Sequence, residues 1–147
     1  MSGIGARELA ALLGLYPKNA KEFTSLDLAA AVVRGLPLGA LDGICVRIAP
    51  GDRSFRNRIV PKATFARRQR ERGQRLSTEE SDRVARLARL WAFAIDVWGS
   101  EAPAQRFFAE PHPLLNGRVP RDVAIETEVG ARTVEDILGR LKYGSAA

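Results

Sequence analysis

Cysteine, histidine and methionine each occur once in these 147 residues, and tyrosine and tryptophan twice each. With Cys45 alone, an internal disulfide and a zinc site built on cysteines are both excluded. With His112 alone, so is a pair of histidines on one metal. No metal and no cofactor is expected. Long apolar runs are missing too: the longest uncharged stretch, residues 9–17, has nine residues against the roughly 20 that cross a bilayer. Arg7 and Glu8 interrupt the first apolar stretch, which leaves no core for a signal peptide and predicts a cytoplasmic address.

What is present is enough for one ordinary domain or two small ones. A chain of this length buries roughly two-thirds of its unfolded surface without a staple. The 46% apolar and 27% charged composition is that of a globular protein and argues against a disordered one. Formal net charge is +6, and it is unevenly spread. Residues 47–75 hold ten Arg and Lys against Asp52 and Glu71, a balance of +8, whereas residues 1–46 sum to zero and residues 76–147 to −2. This asymmetry points to a polyanion for the middle segment and a different partner for the C-terminal half.

Apolar spacing predicts an all-α fold. Leu9, Leu12 and Leu13 mark a short first helix that Gly14 and Pro17 end. Thr24 or Ser25 caps a second, with Leu28, Ala31 and Val32 on one face and Gly35 at its close. Leu38, Leu41, Ile44, Cys45 and Ile48 fall on one side of a third, opened by Pro37. A hairpin competes there, because Ile44, Val46 and Ile48 alternate and Pro50-Gly51-Asp52 is turn chemistry. Two short basic segments follow, residues 52–59 and 62–72, joined by Val60-Pro61. They read as a helix-turn-helix with Phe55, Ile59 and Phe65 packed inward. Gly73-Gln74-Arg75 is the expected joint between halves.

The strongest helical signal begins at Ser77, where Glu80 completes a capping box. Val84, Leu87, Ala88, Trp91, Ile95 and Trp98 then keep one face for about 20 residues, to Gly99. Only Arg89 and Asp96 are charged between Leu87 and Trp98. A helix apolar on more than one face belongs at the centre of a domain or at a subunit interface, so Leu87, Trp91, Ile95 and Trp98 are candidate core or dimer residues. A short helix over residues 104–109 carries Phe107 and Phe108. Another runs from Pro120 to Glu126, and a last one of about 11 residues follows Gly130, with Val134, Ile137, Leu138 and Leu141 as its face.

The inventory disfavours an enzyme. His112 stands between two prolines without a neighbouring nucleophile, and Cys45 sits in an apolar pattern as a small hydrophobe. Gly3-Ile4-Gly5 is half a dinucleotide fingerprint with no preceding strand and no third glycine. Glu126, Glu128, Glu135 and Asp136 read as solvated faces or caps. Nucleic acid suits the basic segment better, because the second helix of a helix-turn-helix lies in the major groove. Lys62, Thr64, Arg67 and Arg68 are assigned to the side away from Phe65, and Arg70 and Arg72 extend the run. One arginine can bridge guanine O6 and N7, and the rest hold phosphates.

The C-terminal half also carries an ordered series of short motifs: residues 76–83 (LSTEESDR), Arg86-Leu87, Ala94, Trp98-Gly99, Pro111, residues 114–117 (LLNG), Pro120, Asp122-Val123, Thr127-Glu128, Gly130-Ala131, Val134, Leu138 and Lys142-Tyr143-Gly144. Over about 69 residues, 76–144, this series resembles the Xre/MbcA/ParS toxin-binding domain of antitoxins encoded beside RES-domain toxins. Residues 25–75 resemble the family's Xre-type helix-turn-helix, and residues 1–24 form an extension expected to be helical. Phe107-Phe108 stands where many members have Trp-Leu, a change of similar volume.

The resemblance implies a division into residues 25–75 and 76–147 and a dimeric antitoxin that binds a RES toxin of ADP-ribosyltransferase-like fold. Such toxins consume NAD or transfer its ADP-ribose. The antitoxin lays its last helix and tail over the NAD cleft, and many members bind their own operator. The residues assigned to the toxin are Arg140, Lys142, Tyr143 and Gly144 at the end, with Asn116 and Arg132 at the rim. A stand-alone helix-turn-helix regulator whose C-terminal half dimerises is the alternative.

Overall fold

The computed structural model describes residues 5–144. The half fingerprint at residues 3–5, the start of the extension and the tail at residues 145–147 lie wholly or partly outside them. Nine α-helices are found there: α1 Ala6–Leu12, α2 Ser25–Arg34, α3 Leu38–Ile48, α4 Arg53–Ile59, α5 Lys62–Arg70, α6 Thr78–Trp98, α7 Glu101–Ala109, α8 Pro120–Glu126 and α9 Glu128–Tyr143. Two single 3-10 turns, Ala20–Glu22 and Pro113–Leu115, complete the described elements, which include no strand.

The rivalry over residues 44–48 is settled by Val46. A strand would place it on the same face as Ile44 and Ile48 with Cys45 opposite, whereas a helix separates it from both by a wide angle and keeps Cys45 with them. Ile44, Cys45 and Ile48 are all buried and Val46 is exposed. Helix α3 therefore buries the apolar stripe that Leu41 begins.

Helix α6 is the hub. Val84, Leu87, Ala88 and Trp91 are buried, and Leu90 and Ala94 beside Leu87 widen the buried face, because α1, α2, α3, α4, α7, α8 and α9 all pack against it. Much of its apolar surface is thus covered within the chain. Leu87 and Trp91 are core residues, whereas Ile95 and Trp98 are half-buried. Trp91 packs on Phe108 at 6.3 Å between ring centroids and Trp98 on Phe107 at 5.3 Å, so the Phe-Phe pair of α7 serves as packing.

At its N-terminus α6 forms the expected box: Ser77 N donates to Glu80 Oε1 (2.7 Å) and Glu80 N to Ser77 Oγ (3.1 Å). The segment before it is a staple. Leu76 N donates to Leu36 O (2.8 Å), Leu38 N to Gln74 O (3.2 Å) and Leu36 N to Ser81 Oγ (2.8 Å). Gly35 permits this approach: its φ is +100° and a Cβ there would lie 2.3 Å from Leu76 O. The expected joint at residues 73–75 is bonded on one side to the loop between α2 and α3.

Helix α9 is longer than its periodicity predicts. It starts at Glu128, and Thr127 caps it by accepting from Gly130 N at 2.9 Å. Gly130 lies inside the first turn and does not end α8. A Cβ on Gly130 would stand 2.3 Å from Val123 O, so the glycine is there for close packing of α8 against α9.

Candidate functional site

The basic helix pair is built from its caps and its buried face. Asp52 Oδ1 accepts from Phe55 N at 3.1 Å and opens α4, Val60-Pro61 makes the turn, and Phe55, Ile59, Val60 and Phe65 are buried. Half of the ten cations of residues 47–75 are then spent within the chain. Arg47 donates to Gly43 O (2.7 Å) and Arg75 to Gly35 O (2.9 Å). Arg56 pairs with Asp42 at 2.7 Å and lies 4.2 Å over the Phe65 ring, and Arg58 pairs with Asp122 at 2.7 Å.

Arg68 is the fifth, and its placement corrects the expectation of an outward phosphate contact. Its Nε lies 3.0 Å from Glu80 Oε1, an ion pair not aligned as a hydrogen bond, and its side chain is only 20% exposed. Residue 68 is three positions after Phe65, so a helix turns it toward the same side and onto the α6 capping box. Thr64, one turn before Arg68 and on the same flank, is half-buried.

Arg53, Lys62, Arg67, Arg70 and Arg72 remain, all exposed and without an ionic or hydrogen-bonded partner among the described residues. Arg67 and Arg70 point outward from α5 together with Ala63 and Ala66, at spacings of three and four residues. Arg72 lies just past the helix, which ends at Arg70. The result is a compact positive patch on a helix whose outer face is otherwise small, a shape that admits close approach to a polyanion. Arg53 joins them from the first turn of α4, outside the run on α5 that the sequence singles out.

The other end of the molecule is the last turn of α9 and the 112–117 turn. His112 Nδ1 accepts from Leu114 N at 3.1 Å, which makes the imidazole a cap for that turn. Asn116 has φ +55° and closes that turn, so its first role is conformational. Lys142 Nζ forms an ion pair with Asp96 on α6 and lies 5.8 Å from the Tyr143 ring centroid. Gly144, at φ +85°, ends the helix. Arg140, Lys142, Tyr143 and Gly144 thus come together, whereas Arg132, eight residues before Arg140, stands about 12 Å back along the axis.

Leu141 departs from the expected core face and is 50% exposed. With Trp98, Phe107 and His112 it borders a hollow of about 330 Å³. Leu114 beside it is also exposed. Periodicity registers the helix face but not how completely a neighbour covers it.

Several acidic residues of this half form ion pairs within the chain. Glu126 pairs with Arg118 at 2.7 Å, and that hydrogen bond holds its carboxyl below the usual range. Glu128 reaches the buried Arg86 at 3.0 Å, and Arg86 also donates to Asp82 at 2.9 Å. Among the described residues no group of three or more metal-ligating side chains is assembled. Burial pushes the Cys45 thiol up to about 12, with the Arg56 charge opposing, which keeps it protonated and unreactive.

A helix-turn-helix with an unpaired positive face, followed by a helical domain organised on one central helix, defines a two-part protein of the regulator or antitoxin class. Residues 27–89 match the antitoxin Xre-like helix-turn-helix domain, and residues 93–144 match the antitoxin Xre/MbcA/ParS C-terminal toxin-binding domain. The two matches lie side by side and together cover more than half of the chain. The chain belongs to the Xre/MbcA/ParS antitoxin family. It is similar to two proteins named Antitoxin Xre. One, from Yersinia enterocolitica, is 37% identical over 86 residues, which are 58% of this chain and 57% of the relative. The other, from Pseudomonas putida, is 34% identical over 89 residues, 60% of this chain and 55% of the relative. The chain therefore matches little more than half the length of these relatives.

Proposed function

We propose that this chain is the antitoxin of a type II toxin–antitoxin system, acting in the cytoplasm as a homodimer. Residues 76–147 bind a RES-domain toxin of ADP-ribosyltransferase-like fold, and residues 25–75 bind operator DNA and repress the operon. The observation that carries this reading is the order of two matched antitoxin domains on one chain, the first with its unpaired cations on α5 and the second ending in an exposed helix turn. Neutralisation requires no catalysis by the antitoxin. A plug that excludes NAD from the toxin's cleft is sufficient, and the half-exposed end of the 16-residue α9 would deliver one.

In this reading Asp96 holds the Lys142 ammonium and so fixes the last turn of α9. Tyr143 is the rigid amphipathic anchor of an interface centre, with Arg140 beside it. Asn116 sets the neighbouring turn, and Arg132 meets the toxin only at the rim. Lys62, Arg67, Arg70 and Arg72 meet DNA phosphates or bases.

The test is co-expression with a RES-domain toxin. The full chain restores growth, and a chain lacking residues 142–147 restores it poorly while keeping its helical content and oligomeric state. Full protection by the truncated chain sinks the plug, and no protection by either chain sinks the assignment. Operator binding without any neutralisation would favour a stand-alone regulator.

A further inference from the structure

Helix α2 is apolar on two opposite faces, and the fold uses one of them. Leu28, Ala31 and Val32 face the protein, with Ala31 buried. Opposite them, Leu26, Ala29, Ala30 and Val33 follow the i, i+3, i+4, i+7 spacing and are all exposed, Leu26 by 78% and Val33 by 68%. A surface helix ordinarily turns its charges to that side. The charges of α2 are Asp27 and Arg34, seven residues apart and therefore on the same flank of the stripe.

This arrangement is complementary to itself. A two-fold axis between Ala29 and Ala30 sets Leu26 of one chain on Val33 of the other and the small alanines against each other. Two helices can then approach to the short end of the 8–10 Å range of packed axes. The same operation brings like flanks together, so each Asp27 faces the Arg34 of the second copy, giving two reciprocal ion pairs. Both groups are available for this. Arg34 has no partner among the described residues, and Asp27 uses Oδ2 for the Thr24 cap, which leaves Oδ1 open.

We propose that the outer face of α2 is the self-association surface of this chain, with α2 packed antiparallel on α2 of a second copy. This rests on the homodimer of the reading above and deepens it by naming the residues that meet. The stripe lies on an element separate from the α5 cations and from the end of α9, so both remain accessible in the dimer.

Three preparations of the full chain test it by sedimentation and by air oxidation. Wild type is expected to be a dimer at micromolar concentration. Ala30→Glu, which sets like charges against each other across the axis, is expected to weaken dimerisation by more than about tenfold with an unchanged circular dichroism spectrum. Ala30→Cys is expected to oxidise to a covalent dimer, while an Ala109→Cys control stays monomeric under denaturing electrophoresis. A dimer that ignores Ala30→Glu and fails to cross-link through residue 30 overturns this surface but leaves the homodimer standing. A monomeric wild type overturns both. If Ala30→Glu disturbs the fold, Val33→Glu replaces it with the same expected outcome.

Discussion

Arg121, in the first turn of α8, places its Nη2 2.8 Å from Asp52 Oδ2 while Asp52 Oδ1 caps α4. The first turn of the toxin-domain helix thereby holds the first turn of the helix-turn-helix. The guanidinium also lies 5.4 Å from the Phe55 ring centroid and reaches Ile48 O at 3.4 Å. Next to it Arg58 pairs with Asp122 and Gln105 Nε2 donates to Arg47 O at 3.1 Å. These polar bridges join the two matched domains into one body. Arg121→Ala is expected to cost about 1–3 kcal/mol, because Asp52 keeps its cap but loses its charge-assisted bond. A double-mutant cycle with Asp52→Ala, read by urea denaturation, should return a coupling energy above the error. Strict additivity would show that the bridge carries nothing.

Arg67 and Arg68 are neighbours with opposite assignments, and this gives a sharp contrast. Arg67→Ala together with Arg70→Ala should reduce the salt slope of operator binding by about 1.8 for two lost phosphate contacts and leave the melting temperature nearly unchanged. Arg68→Ala should do the reverse: it lowers the melting temperature by uncovering Glu80 and leaves the slope alone. Fluorescence anisotropy against salt, beside a thermal melt of each variant, separates the two. Equal slopes for all three proteins would remove α5 from the DNA surface.

Gly130→Ala is expected to destabilise by several kcal/mol, at the severe end for single substitutions. The added methyl meets the Val123 carbonyl at 2.3 Å, and backbone cannot step aside as a flexible side chain would. An exposed helical glycine replaced by alanine would instead gain stability. Chemical denaturation decides the sign.

Cys45 sets a pH dependence. Its ordinary value is 9.0 and burial raises it to about 12 in the folded chain, so folding favours the protonated thiol. The unfolded chain loses this proton first. The contribution to stability is complete below pH 9 and is lost as pH rises from about 9 to about 12. Cys45→Ala should flatten that part of the stability curve. A thiol reagent should leave the native thiol untouched at pH 8 and react once denaturant is added.

Much of the fold is legible because its signals are local. The Ser77–Glu80 box, the Gly99 stop and the 3.6-residue spacing each lie within a few residues, and each is found where the sequence places it. The buried helix-turn-helix contacts of Phe55, Ile59 and Phe65 were equally readable. What was not legible depends on distant packing. Gly130 looked like a break because glycine has two uses, a helix end and a close approach, and only the position of the Val123 carbonyl tells them apart. Arg68 looked like a ligand for phosphate because nothing nearby in sequence reveals that Glu80, twelve residues on, lies against it. Periodicity assigns Leu141 to the core face but does not say how completely a neighbour covers it. Lys142 gave no hint of Asp96, 46 positions away. The doubly apolar α6 left two readings open, core or subunit interface. Seven helices around it place Leu87 and Trp91 in the core and leave Ile95 and Trp98 half-buried.

The central claim is that this chain acts by covering another protein's NAD cleft with the end of α9. The most direct measurement is NAD consumption by a purified RES-domain toxin titrated with the purified chain, full length and with Tyr143→Ala. Turnover should fall to background at a fixed stoichiometry with the full chain, and the Tyr143→Ala chain should require a much higher concentration. NAD consumption that continues unchanged while the two proteins form a stable complex would contradict the account.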